Sequence, residues 1–168
     1  MNLARHLHPE RILLALSTRM PEPTDPPTPR ERWLWEVKES VLGEIADLLA
    51  RSGRVGSRNR LYNDLLNRER KSTTGLTGGI AMPHVRTVEA REMVLAFARS
   101  LPGLDFDCVD RQPAHLFFAI VAPPYDDALY LRVYRQMAEA FRGGNLRDAF
   151  LRARDEGEVI RAMRSIGD

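Results

Sequence analysis

Apolar positions recur along this chain with two different spacings, which predict helices in some segments and strands in others. From Arg30 onward, every third or fourth position is apolar, as on the buried face of a helix: Trp33, Val37, Val41, Ile45 and Leu48. The pattern predicts an amphipathic helix of about five turns. Its other faces are predicted to carry the charged residues Glu36, Lys38, Glu39 and Glu44.

Glycines mark the ends of the predicted helices. The segment RSGRVGS (51–57) closes the first helix, and Leu61, Leu65 and Leu66 then predict a second one running to about Arg68. A third helix follows the Pro123-Pro124 break and covers ALYLRVYRQMAEAFR (128–142), with an apolar stripe of Tyr130, Tyr134, Met137 and Phe141. The segment 145–165 predicts two short helices, the second beginning near Asp155 or Glu156.

Short apolar runs bounded by glycine, proline or charged residues predict strands. They are ILLAL (12–16), GIAMPHV (79–85), VLAFARS (94–100) and HLFFAIVAP (115–123). The segment LPGLDFDCVDRQP (101–113) carries turn residues and room for one short extended piece. Helices before, between and after the strands predict one α/β domain over residues 1–168, with a mixed sheet of about five strands and helices on both faces.

A proline-rich stretch, PEPTDPPTP (21–29), interrupts this pattern. Prolines remove backbone donors and prevent helix formation, so the stretch is expected to be a loop. The residues before it are too few for a domain, and ILLAL is therefore expected to join the main sheet. The stretch itself is interpreted as an insertion at the surface.

Composition limits the possible functions. The hydrophobic fraction of 43% and charged fraction of 29% are those of a globular protein. The net charge is +2, but acids and bases are interspersed, so no nucleic-acid partner is expected. Cys108 is the only cysteine and is interpreted as a structural thiol. No segment approaches a secretory signal or the ~20 apolar residues of a membrane span, so a cytoplasmic location without membrane insertion is expected.

Candidate chemistry concentrates in TTGLTGGIAMPHV (73–85). A neutral imidazole is a nucleophile, and Pro83 restricts the backbone from which the ring of His84 projects. Hydroxyl groups and glycine N–H groups could bind an anion, which makes Thr73, Thr74, Thr77 and Gly78 candidate phosphate ligands. Arg68 could add a fixed positive charge. These residue types also fit a simpler interpretation, in which the glycines form an ordinary turn and the histidine is structural or solvated.

Other catalytic motifs are not found in the sequence. It contains no G-x-x-x-x-G-K-[ST], G-x-S-x-G or H-E-x-x-H motif. His6 and His8 lack further nearby ligands, and Asp105, Asp107 and Asp110 are interpreted as turn residues. We therefore expect neither a metal nor a cofactor.

The run LLNRERKSTTGLTGGIAMPHV (65–85) closely resembles the phosphorylation-site signature of enzyme IIA of the bacterial phosphoenolpyruvate-dependent phosphotransferase system, in the class of fructose, mannitol and nitrogen-regulatory members. In that class a helix ending in Arg-Glu precedes Ser/Thr-Thr-Gly, a glycine turn and Gly-Ile-Ala-Ile-Pro-His. Arg68-Glu69, Thr73–Gly75, Gly79–Ala81 and Pro83-His84 match it in step. Weaker resemblance covers LHPERILLAL, LDFDCVDRQPAHLFFAIVAP and DEGEVIRAM.

The resemblance implies that His84 accepts a phosphoryl group from a histidine-phosphocarrier protein, held by Arg68, Thr73 and Thr74. Sugar-specific members pass the group to a permease component, whereas regulatory members bind target proteins according to their phosphorylation state. The opening of this chain resembles the regulatory branch, and regulation is the preferred interpretation. Transfer to a permease, and a binding module of the same fold that no longer uses phosphate, are the alternatives.

The chain departs from the class in one respect. Members usually carry a second histidine at the start of the helix after the third strand, where this chain has Tyr130 and Arg132. Arg132 is a candidate phosphate ligand, because a fixed cation stabilises a phosphoryl dianion but cannot shuttle a proton. The sequence therefore predicts a protein that receives a phosphoryl group more readily than it relays one.

Overall fold

The computed structural model describes residues 1–167 and contains a mixed, five-stranded sheet. The strands are β1 (Ile12–Leu13), β2 (Ile80–Ala81), β3 (His84–Arg86), β4 (Val94–Leu104) and β5 (Ala114–Ala122). Their order is β1-β4-β5-β2, and β3 also pairs with β5. Only the β4–β5 pair is antiparallel. The predicted mixed α/β sheet is confirmed.

Five helices cover the two faces of the sheet. They are α1 (Arg30–Ala50), α2 (Arg58–Lys71), α3 (Asp127–Ala140), α4 (Asn145–Arg152) and α5 (Glu156–Arg164). Short 3-10 turns lie at Leu3–His6, Pro9–Arg11 and Phe141–Gly143. Among the helices within residues 1–167, none has both the length and the apolarity needed to cross a membrane.

Alternating residues of β4 and β5 supply two separate hydrophobic cores, because successive side chains of a strand point to opposite faces. One core places Ala96, Ala98 and Phe117 against α1 and α2. The other places Phe97 and Phe118 against α3, α4 and α5. Helices therefore flank the sheet on both faces, as predicted.

Several predicted boundaries differ from the structure. Of the predicted strand ILLAL (12–16), only Ile12–Leu13 forms a strand of the sheet. GIAMPHV forms two short strands, β2 and β3, instead of one, since Pro83 has no N–H to donate. VLAFARS continues to Leu104, with an irregular register after Arg99. The second helix extends beyond Arg68 to Lys71.

The proline-rich stretch 21–29 has no regular secondary structure and is almost entirely exposed. The segment before it is held to α1 by Glu44, whose carboxylate accepts hydrogen bonds from the backbone N–H groups of Ser17 and Thr18. The predicted loop is confirmed, and its interpretation as an insertion stays a prediction.

Arg99 of β4 is a buried cation that caps the C-terminal end of α4. Its Nε donates to the carbonyl of Leu14, and its Nη1 donates to the carbonyls of Phe150 and Ala153 at 3.0 and 2.7 Å. The last carbonyls of a helix carry partial negative charge, so a guanidinium suits this position. Arg99 therefore ties the sheet to the helical layer on this face.

We predict that Arg99→Met destabilises the protein by about 3 kcal/mol, because the substitution leaves buried carbonyls without donors. Urea unfolding measures the loss in the free energy of unfolding, provided that the variants share the same m-value. Arg132→Met, at an exposed position of α3, is the matched control and should change stability by less than about 0.5 kcal/mol. Equal stability of the two variants would contradict this role for Arg99.

Candidate active site

His84 begins β3, directly after the Met82-Pro83 segment that separates β2 from β3. Its Nδ1 lies 2.7 Å from the carbonyl oxygen of Met82. A carbonyl oxygen can only accept, so Nδ1 must be the ring nitrogen that carries hydrogen. The neutral ring consequently has its free lone pair on Nε2.

Two aromatic rings of α3 pack against the imidazole. The ring centroids of Tyr130 and Tyr134 lie 5.9 and 4.9 Å from that of His84. This burial lowers the pKa of His84; the hydrogen bond to Met82 opposes the change, and the charge of Arg68 adds to it. A lowered pKa keeps His84 neutral at pH 7, as a nucleophile requires.

Arg68 reaches the reactive edge of this imidazole from the last turn of α2. Its Nη2 lies 3.4 Å from His84 Nε2, and its Nη1 donates to the carbonyl of Ser72 at 2.8 Å. A group attached to Nε2 would therefore lie beside a guanidinium that is already held in place. Arg68 and His84 are the predicted site residues that the structure brings together.

His84 lines a cleft of about 840 Å³ whose walls carry the cations of Arg68, Lys71 and Arg86. The carboxylate of Asp64 also lies in the wall, but it accepts a hydrogen bond from the hydroxyl of Thr87. Arg86 forms an ion pair with Asp127 at the start of α3. The excess of cations makes the cleft suited to an anion.

A buried ion pair lies behind the cleft. Lys38 is 2% exposed, and its Nζ lies 2.7 Å from Oε1 of Glu69. The prediction that Lys38 lies on a face of α1 other than the apolar one is therefore wrong. Lys38 belongs to the buried stripe of α1, where the ammonium is satisfied by Glu69 and by the faces of Trp35 and Phe106.

The predicted phosphate ligands Thr73 and Thr74 face this ion pair. The hydroxyl of Thr74 donates to Glu69, as does its backbone N–H. The hydroxyl of Thr73 donates to the carbonyl of Phe106 and accepts from Lys38. Both hydroxyls thus organise the loop behind His84, and neither residue lines the cleft.

Thr77 and Gly78 lie further along the same loop and are exposed. The N–H of Gly78 donates to the carboxylate of Asp110, which fixes the loop to the turn after β4. Gly78 has a φ of 71°, a conformation that favours glycine. Neither residue lines the His84 cleft.

Arg132 is not brought to His84. It lies exposed on α3, two residues after Tyr130, so the helix directs it toward the opposite side. There it lines a separate surface depression with Leu131, Arg135 and Glu139. The position beside the imidazole is instead occupied by Tyr130 and Tyr134.

Several residues of the site were missed in the sequence. Lys38 and Lys71 are the only lysines of an arginine-rich chain, and Lys38 falls three residues before Val41, in phase with the apolar stripe. This combination was the available signal for a buried lysine. Nothing local indicated that Arg86 would line the cleft.

The turn around Cys108 has the structural role that was predicted. Burial raises the pKa of Cys108 to about 12, so the thiol is not a nucleophile at neutral pH. Carboxylates of Asp105 and Asp110 accept backbone N–H groups two residues further on, as turn residues do.

Comparisons with known proteins identify the family of this chain. Residues 34–166 match the family model described as "Phosphoenolpyruvate-dependent sugar phosphotransferase system, EIIA 2". The fructose-specific EIIA component of Haloferax volcanii is 34% identical over 122 residues, which cover 73% of this chain and 79% of that protein. The nitrogen regulatory protein of Pseudomonas aeruginosa is 30% identical over 123 residues, which cover 73% and 79%.

A longer relative and a solved structure extend the comparison. The fructose-specific EIIABC component of Bacillus subtilis is 33% identical over 123 residues, and this chain covers 73% of its own length but only 19% of that protein. The crystal structure of nitrogen regulatory protein IIA-Ntr from Neisseria meningitidis superposes with a TM-score of 0.78 at 24% identity, covering 96% of this chain and 98% of that one. The latter likeness is one of fold.

We predict that Lys38→Met destabilises the protein by about 3–5 kcal/mol, because it leaves the carboxylate of Glu69 buried without its cation. Urea unfolding measures the change. Lys71→Met removes the other lysine, which is exposed, and should alter stability by less than about 0.5 kcal/mol. A Lys38→Met protein as stable as the Lys71→Met control would contradict the structural importance of the pair.

A second prediction concerns the titration of His84. Burial lowers its pKa from the ordinary 6.5, so the folded protein should titrate at a lower pH than the unfolded chain. The stabilisation from neutral His84 is therefore fully present above about pH 6.5 and is lost as pH falls through the folded pKa. NMR of the imidazole Cε1 proton measures both states, with His84→Ala to assign the resonance. A folded midpoint at or above the unfolded one would contradict the prediction.

Proposed function

Since this chain belongs to the EIIA 2 family of the phosphoenolpyruvate-dependent sugar phosphotransferase system, we propose that His84 Nε2 accepts a phosphoryl group from a histidine-phosphocarrier protein. The observation that carries the proposal is the bond from Nδ1–H to Met82, which leaves Nε2 without hydrogen, so that its lone pair faces the Arg68 guanidinium. The cations of the cleft fit the charge of the incoming group.

The proposed transfer needs no external proton. The lone pair of His84 Nε2 forms a bond to the phosphorus atom as the phosphorus–nitrogen bond of the donor phosphohistidine breaks. The bonding electron pair returns to the donor ring, which becomes a neutral imidazole and keeps the hydrogen on its other nitrogen. His84 keeps its Nδ1 hydrogen, and the Met82 carbonyl stabilises the resulting cationic ring. Arg68 is placed to stabilise the negative charge of the phosphoryl oxygens.

We favour a regulatory role, in which the phosphorylation state of His84 controls binding to a target protein. The rings facing His84 are the tyrosines of α3, in place of the second histidine that the class usually carries. The Pseudomonas relative bears the name of a nitrogen regulatory protein. The fructose-specific relatives keep onward transfer to a permease component as the alternative. Either role places the protein with its donor in the cytoplasm.

Incubation with phosphoenolpyruvate, the first enzyme of the system and its histidine carrier should give an acid-labile phosphate on Nε2 of His84. The linkage is checked by ³¹P NMR and by separating the two phosphohistidine isomers after alkaline digestion. Arg68→Gln should slow uptake by about tenfold or more, because it removes a charged partner of the phosphoryl group.

His84→Ala should take up no phosphate, whereas His8→Ala, at an exposed position near the start of the chain, should take up as much as the wild type. Lack of uptake by the wild type, or equal uptake by His84→Ala, would overturn the proposal. The binding-module alternative predicts instead that partner affinity is the same for His84→Ala, His84→Asp and the wild type.

A further inference from the structure

The hydroxyl of Tyr130 forms no hydrogen bond within residues 1–167. The residue is only 7% exposed, and its ring packs near that of His84. In the part of the chain that the structure describes, the fully buried polar side-chain atoms that lack a hydrogen-bond partner are Ser100 Oγ and Arg147 Nε. The Tyr130 hydroxyl also lacks a partner there but is not among them, so it is not fully buried. Since Tyr130 forms part of the cleft wall, its hydroxyl reaches solvent there.

The charges around this hydroxyl favour an anionic partner. The guanidinium carbon of Arg86 lies 5.7 Å from the centroid of the Tyr130 ring. Burial raises the pKa of Tyr130 to about 12, against the opposing effect of Arg68 and Arg86. The hydroxyl is therefore a donor at neutral pH.

The nearby carboxylates are already engaged. Asp64 accepts from the hydroxyl of Thr87, and Asp127 is paired with Arg86. The Tyr130 hydroxyl is thus a donor that lies near cations and has no acceptor within residues 1–167. An oxygen of a bound anion would fit this position.

We propose that Tyr130 is a phosphoryl-binding residue, whose hydroxyl donates a hydrogen bond to an oxygen of the group carried by His84 Nε2. The inference rests on the proposed function and deepens it. Arg68 holds the group by charge, and Tyr130 holds it by a neutral hydrogen bond. Because the phenol keeps its proton, it stabilises the phosphorylated protein by donating to a phosphoryl oxygen. Tyr130 thereby favours retention of the phosphoryl group over its transfer.

Tyr130→Phe tests the proposal, with Tyr134→Phe as the matched control. Each substitution removes one hydroxyl from a ring that packs against His84, but Tyr134 does not line the cleft. Phosphorylation is performed with the carrier protein and, separately, with phosphoramidate. The nitrogen of phosphoramidate is already protonated near neutral pH, so when the phosphorus–nitrogen bond breaks it keeps the electron pair and leaves as ammonia.

Tyr130→Phe should lower the equilibrium extent of phosphorylation, measured as the ratio against the carrier, by about tenfold or more, as expected for one hydrogen bond to a charged group. It should also shorten the half-life of the phosphoryl group and shift its ³¹P resonance. Tyr134→Phe should remain within about twofold of the wild type. In the wild type, phosphorylation should shift the ¹³Cζ resonance of Tyr130, a readout that depends on no variant.

Unchanged extent, half-life and ³¹P shift in Tyr130→Phe would overturn the inference and leave the proposed function standing. Equal losses in the two variants would also overturn it, because they would indicate ring packing. A wild type that takes up phosphate from neither donor would overturn both proposals. Should Tyr130→Phe fail to fold, an unchanged ¹³Cζ resonance in the phosphorylated wild type would by itself overturn the inference.

Discussion

The buried ion pair of Lys38 and Glu69 fixes the position of the site within the fold. Because neither charge tolerates burial alone, the pair holds α1 against the end of α2. The same carboxylate accepts two hydrogen bonds from Thr74, whose carbonyl accepts the N–H of Met82. The carbonyl of Met82 then accepts Nδ1–H of His84. A continuous series of hydrogen bonds thus connects a helix–helix contact to the tautomer of the imidazole.

This arrangement separates the groups that build the site from those that face the cleft. The threonine hydroxyls of the glycine-rich loop are used behind His84, where they satisfy a buried charge and the carbonyl of Phe106. The cations Arg68, Lys71 and Arg86 lie in front of it. Because Arg68 is held by the carbonyl of Ser72, little reorganisation is needed when an anion arrives.

The fold and the proximity of Arg68 to His84 could be predicted from the sequence, since both depend on local patterns. Helical spacing placed α1 and α2, and the Pro-His motif identified His84. Lys38 was assigned to the wrong face, because a charged residue is normally counted as exposed, and its partner lies 31 residues away. The roles of Thr74 and Gly78 depend on acceptors that the sequence pattern does not connect to them.

The sequence suggested Arg132 as a residue near His84, whereas the structure places Tyr130 there. This difference has another cause. The stripe of Tyr130, Tyr134 and Met137 already indicated which side of α3 is buried, and a helix turns by roughly 200° over two residues. The phase of the helix therefore excluded Arg132 from that side, but its charge suggested a phosphate ligand. Periodicity was the better guide here, because position on a helix is a stricter constraint than residue type.

The break in the strand at Pro83 has a wider consequence. It lets a single short segment contain both the nucleophile and the carbonyl that selects its tautomer, while β2 and β3 remain paired with β5. The reactivity of the imidazole is thus encoded within three consecutive residues. On the proposals made above, the lifetime of a group on His84 depends instead on the side chains of α3, Tyr130 among them. Sequence changes in α3 are then expected to tune that lifetime while leaving the nucleophile and its tautomer intact.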